Sequence, residues 1–111
     1  MKKLFVSLCC AMLLTNSAFA SQQYFSYWDI DPDIGYVTFL FSWNYAAGFP
    51  YDCDWELTNL DNSSVVTGSL SPQVGGTHGG GTLIGGGNWN LWMRCEIGSD
   101  WAENDEDFFI P

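Results

Sequence analysis

Residues 51–57 read YDCDWEL and residues 89–97 read WNLWMRCEI. In the first stretch Tyr51, Cys53, Trp55 and Leu57 alternate with Asp52, Asp54 and Glu56. That is the period of a strand with one dry and one wet face. In the second, Trp89, Leu91, Met93, Cys95 and Ile97 share one parity. Each cysteine therefore lies on the apolar side of its strand. If the two strands are antiparallel neighbours with Cys53 opposite Cys95, Trp55 faces Met93 and Leu57 faces Leu91, apolar against apolar. On the wet face Asp54 then faces Arg94. The same register sets Asp52 opposite Glu96, which is unfavourable unless the strands splay there or a cation intervenes.

Outward from this pair, strand signals recur and helix signals are nearly absent. Tyr36 to Trp43 (YVTFLFSW) places Val37, Phe39, Phe41 and Trp43 on one face, with Thr38 and Ser42 on the other. Gln23 to Ile30 is aromatic-rich and is expected to end at an Asp31-Pro32-Asp33 turn. Ser64 to Leu70 is a shorter β-branched segment, and Asp107 to Ile110 closes the chain. The glycine-rich run from Gly75 to Gly87 is expected to be a loop flanking a short strand at Thr82 to Ile84. About seven short strands separated by turn chemistry predict an all-β fold, a single seven-stranded antiparallel β-sandwich.

The chain has 111 residues, 47% of them hydrophobic, 13 acidic and 3 basic. This excludes a disordered polypeptide and leaves room for one domain. The formal charge of −10 opposes nucleic acid as a partner, because displacing phosphate counterions requires cations. Residues 1–20 read as a cleaved signal peptide. Lys2 and Lys3 precede an apolar run from Leu4 to Leu14, and Ala18-Phe19-Ala20 supplies a cleavage site before Ser21. The apolar run falls short of the roughly 20 residues that span a bilayer, so no membrane segment is expected after cleavage. The domain is then residues 21–111, exported to the periplasm or beyond the cell. Both lysines leave with the leader, so the charge falls from −10 to −12 and Arg94 is the remaining fixed cation.

Cys9 and Cys10 leave with the leader too. Cys53 and Cys95 in an oxidising compartment are most simply one disulfide. Closing a loop of about 43 residues, it is worth on the order of 4 kcal/mol in the chain-entropy model. Two cysteines and the single His78 are too few soft ligands for zinc.

The Trp that ends VTFLFSW, then YDCDWEL, then WNLWMRCEI leading to a final FFI, resemble a fibronectin type III domain, one of the immunoglobulin-like sandwiches. The likeness spans roughly Tyr24 to Ile110 and lies in strand order and aromatic placement. It departs from the pattern in its disulfide, and in Trp89 where a tyrosine is more usual. The stretch after Tyr51 is also similar to small periplasmic sandwich proteins that act as chaperones for curli amyloid subunits. The first resemblance implies recognition loops at one end of the sandwich. The second implies a client that forms fibres.

Three groups of residues carry candidate chemistry. Trp92 opposes Leu91 and Met93 in parity and is expected to stand exposed beside Arg94 as a binding platform. Trp92→Ala should then cost within about 0.5 kcal/mol, and Trp55→Ala about 3–5 kcal/mol. The run Asp100, Glu103, Asp105, Glu106 and Asp107 is expected to be a solvated loop beside the 44–51 loop, presenting Tyr45, Phe49 and Trp101 amid carboxylates. Asp29, Asp31 and Asp33 fit a loose calcium site, although Ile34 and Leu40 occupy the positions where an EF-hand needs Gly and Glu. No other cofactor is implied. His78 on a glycine run is a poor mount for a general base, and no nucleophile set accompanies it, so an enzyme is not expected. The expected function is a non-enzymatic binding module for a protein or carbohydrate ligand. The alternative is an assembly chaperone for extracellular fibre subunits.

Overall fold

The structure, a computed structural model, describes residues 21–46 and 48–111; the leader read over residues 1–20 lies outside the described residues. The strands are β1 (Ser21–Gln23), β2 (Tyr27–Asp33), β3 (Tyr36–Ser42), β4 (Asp52–Asn59), β5 (Val65–Leu70), β6 (His78–Leu83), β7 (Gly87–Ile97) and β8 (Asp100–Ile110). A 3-10 turn covers Asn44–Ala46. One sheet has the order β1-β8-β7-β4-β5 and the other β2-β3-β6. All pairings are antiparallel except β1 with β8. Two layers over one core follow from strands that are apolar on one face only. Among the described residues no helix is long and apolar enough to cross a membrane.

The central pair has the register that its alternation predicts: Cys53 opposes Cys95, Trp55 opposes Met93 and Leu57 opposes Leu91. Cys53 and Cys95 are joined in a disulfide across 42 positions of chain, inside the core. Val37, Phe39, Phe41 and Trp43 of the second sheet pack onto that face. Phe39 meets Trp55 edge-on at 5.3 Å, and Trp43 meets Tyr51 edge-on at 5.2 Å. Such pairs add about 0.5–1.5 kcal/mol beyond their burial. Along one flank the Trp28 indole of β2 donates to Glu106 of β8 at 2.8 Å and ties the two sheets together.

Eight strands are present among the described residues, not seven, for one local reason, and three further boundaries differ from those expected. The aromatic segment after Gln23 divides: β1 pairs with β8 in one sheet, and β2 with β3 in the other. Asp31-Pro32-Asp33 continues β2 instead of turning; Pro32 is tolerated because β2 is an edge strand, and the turn falls at Gly35, where φ is +72°. The short strand expected at Thr82 to Ile84 is β6 from His78 to Leu83, so Gly79 to Gly81 are strand, while Gly75–Thr77 and Ile84–Gly86 flank it as connections. A Cβ on Gly79 would lie 2.2 Å from the Phe39 carbonyl oxygen, and one on Gly81 2.8 Å from that of Val37. Only glycine lets β6 come this close to β3. Finally, the acidic run from Asp100 is not a loop but most of β8, paired to β7 along its whole length.

Removing the bridge tests its contribution. Cys53→Ala should lower the free energy of unfolding by about 2–5 kcal/mol, read as a shifted midpoint in chemical denaturation.

Candidate functional site

The face of the five-stranded sheet that points away from the core is built from alternate residues of β4, β7 and β8. Opposite one another lie Asp54, Arg94 and Glu103 in one row, and Glu56, Trp92 and Asp105 in the next. Thr58, Asn90 and Asp107 form a third. So many carboxylates on one sheet would repel, and the donors between them offset this. Asn90 Nδ2 bridges Asp105 at 3.0 Å and Asp107 at 2.8 Å. The Trp92 indole donates to Glu103, and the Ser69 hydroxyl to Asp54 at 2.9 Å. Arg94 pairs with Glu96 at 2.8 Å and lies 3.6 Å from Glu103. A cation therefore does reach the repulsive Asp52–Glu96 pair, and it is Arg94, drawn there although Asp54 is its direct cross-strand neighbour.

This network corrects the reading of Trp92. The parity is right, yet the ring is only 4% exposed. The ring is buried and its N–H is taken by Glu103, so it is not an open stacking platform. Trp101 is half-covered for a related reason, with the Arg94 guanidinium 4.3 Å from its ring centre. Arg94 and Trp101 thus belong to the covered acidic face and not to an open platform.

The exposed rings are elsewhere. Connections 24–26, 43–46 with 48–51, 71–77 and 98–99 meet at one end of the sandwich. Hydrogen bonds tie them together, from Asn44 N to Ser26 Oγ (3.0 Å), Tyr51 N to Pro72 O (3.2 Å) and between Ser42 and Thr77 (3.0 Å). The 3-10 turn holds Tyr45 against Trp43, with ring centroids 5.9 Å apart and an interplanar angle of 28°. The Tyr45 hydroxyl donates to the Asp100 carboxylate. That bond, then desolvation, then the Asp100 charge push its phenol above the ordinary range. Tyr45 remains 51% exposed, and Phe49 on the same connection is 63% exposed.

Two further residues of this end escaped sequence reasoning. Tyr24 is 74% exposed at the crossing from β1 to β2, and Tyr27 begins β2 on its outer face. Parity marked Tyr27, since Trp28 and Ile30 of the same strand point inward. Nothing local marks Tyr24, because its exposure follows from the change of sheet. Of the expected set, the structure brings Tyr45 and Phe49 to this end.

Asp29, Asp31 and Asp33 lie on one strand with alternate spacing, so successive carboxylates start about 7 Å apart. Asp33 instead accepts the Ile34 amide at 2.7 Å. Among the described residues no three metal-ligating side chains are grouped to hold an ion. No protein-family model and no curated protein matches this chain.

Two outcomes follow from the geometry. Trp92→Ala should destabilise the domain by about 3–5 kcal/mol in chemical denaturation, comparably to Trp55→Ala. Asp100→Asn should move the Tyr45 phenol back down toward its ordinary value, seen by tyrosinate absorbance as one tyrosine titrating at lower pH than in the parent.

Proposed function

We propose that this chain is an exported, non-enzymatic binding module, of immunoglobulin-like or fibronectin type III-like architecture, that takes a glycan or protein ligand on its aromatic end. One observation carries the reading: Tyr24, Tyr27, Tyr45 and Phe49 are all exposed where the four connections meet. Exposed rings give large contact area at low entropic cost, and they suit sugar faces and protein side chains alike. Tyr45 is also held in place by Trp43 and Asp100, so little order is lost when it is contacted.

The strand order supports the architecture. β4, β7 and β8 share a sheet with β5 added beside β4, and β2, β3 and β6 form the other, as in immunoglobulin-type sandwiches. In variable domains loops at one end of that arrangement carry recognition. The disulfide differs, because antibody domains bridge their two sheets, whereas Cys53–Cys95 joins neighbours within one. An oxidised pair in the core fits export to an oxidising compartment.

The test uses Tyr24→Ala with Phe49→Ala, both exposed and expected to change stability by no more than about 0.5 kcal/mol each. The mature protein is applied to a glycan array and, immobilised, to periplasm and culture supernatant. The double variant should lose retention of whatever the parent captures while keeping its unfolding midpoint. Equal retention by parent and variant overturns the reading.

A further inference from the structure

The two flanks of the sandwich differ in a way that the aromatic end does not explain. On the flank closed by Trp28 and Glu106, the edge strand β2 carries Asp29, Asp31, Pro32 and Asp33. Charges and proline on an edge are the usual protection against pairing with another chain. On the opposite flank, among the described residues, β5 (VVTGSL) pairs only with β4, and β6 (HGGGTL) only with β3. Neither strand contains a carboxylate, lysine, arginine or proline. A chain with 13 acidic residues places none of them on either edge. The two edges share one seam, since a Cβ on Gly80 would lie 3.7 Å from Leu70.

Two polar atoms buried beside this seam have no partner among the described residues. The Trp55 ring lies across Gly68, so close that a Cβ there would sit 2.2 Å from Cζ2, and the indole therefore reaches the β5 edge. Trp55 is 8% exposed, and its Nε1 has no hydrogen-bond partner among the described residues. It borders a recess of about 250 Å³ with Asp54, Thr67, Gly68 and Ser69. His78 Nε2 is likewise buried and unpartnered, beside a recess of about 160 Å³ lined by Leu70, Ser71, Pro72 and Gly79. A buried donor without an acceptor pays its desolvation in full until one arrives.

We propose that the β5–β6 seam accepts an extended, non-acidic strand from another polypeptide. The incoming strand adds to a free edge through main-chain hydrogen bonds and gives a carbonyl acceptor to the Trp55 indole N–H. A row of edge N–H and C=O groups fits an extended backbone better than a sugar. Charge selects its composition. Asp54 lines the recess, so a basic side chain on the incoming strand is favoured and an acidic one repelled. A second copy of this acidic chain meets that repulsion. The Trp55 recess contains none of the residues of the aromatic end, while the His78 recess borders that end through Ser71 and Pro72.

The probe is a synthetic peptide of alternating Thr and Val flanked by lysines, added to the isotope-labelled, oxidised mature chain. Controls carry aspartates in place of the lysines, or a central proline. Expected are at least tenfold slower hydrogen exchange at alternate amides of Val65–Leu70 or His78–Leu83 and a moved Trp55 indole signal, assigned with Trp55→Phe. The lysine peptide should bind at least tenfold more tightly than either control. Val65→Glu with Leu83→Glu, both exposed on the edge strands, should weaken binding about tenfold without loss of fold. Tyr24→Ala with Phe49→Ala should bind the peptide as the parent does, which separates this site from the aromatic end. The proposal is overturned if no edge amide slows, if slowing is confined to the aromatic end, or if the aspartate peptide binds equally. Edge protection that rises with protein concentration alone overturns it in favour of a second copy.

Discussion

The covalent register between β4 and β7 is the constraint on which the other parts of this domain depend. With Cys53 opposite Cys95, a slip of one residue would turn the apolar side of one strand, Trp55 and Leu57 of β4 or Leu91 and Met93 of β7, from the core to the solvent. The bridge and the alternation agree on one pairing. From it follow the apolar face that receives Phe39 and Phe41, and the acidic face on the other side. β5 and β8 then extend the sheet on either side of the pinned pair. For a domain of this size, whose core is small, a bridge inside the apolar layer also limits the unfolded chain.

A second feature is how the chain carries so much negative charge with so few cations. Neutral donors take the place of lysines. The Trp28 indole bonds Glu106, the Trp92 indole bonds Glu103, and the Asn90 amide holds two aspartates at once. Hydrogen bonds to charged acceptors are stronger than neutral ones, and these are placed where strands of the same sign would otherwise separate. The aromatic content thus serves two purposes, filling the core with rings and satisfying carboxylates with ring N–H groups. Of the rings left exposed, Tyr24, Tyr27, Tyr45 and Phe49 gather at the end where the four connections meet, while Tyr36 and Phe109 lie away from it. That division is why Tyr45 and Phe49 are candidates for recognition and Trp92 is not.

The central strands, their parity, their register and the disulfide were legible in the sequence, because period-2 alternation and two matched cysteines are local signals. So was the exposure of Tyr45 and Phe49 on the connection after β3. Three features were not. Strand β6 forms from glycines that no propensity favours, because Phe39, Leu40 and Tyr36 of β3 leave space for nothing larger. Strand β8 forms from an acidic run because β7 supplies both a ladder and side-chain donors. Trp92 is buried although its parity is correct, because alternation states which face a side chain takes but not what lies over it. The chain by itself determined an all-β domain, its central pairing and its bridge. Only the tertiary structure decided which rings stay open and which strand edges stay bare, since both depend on neighbours distant in sequence.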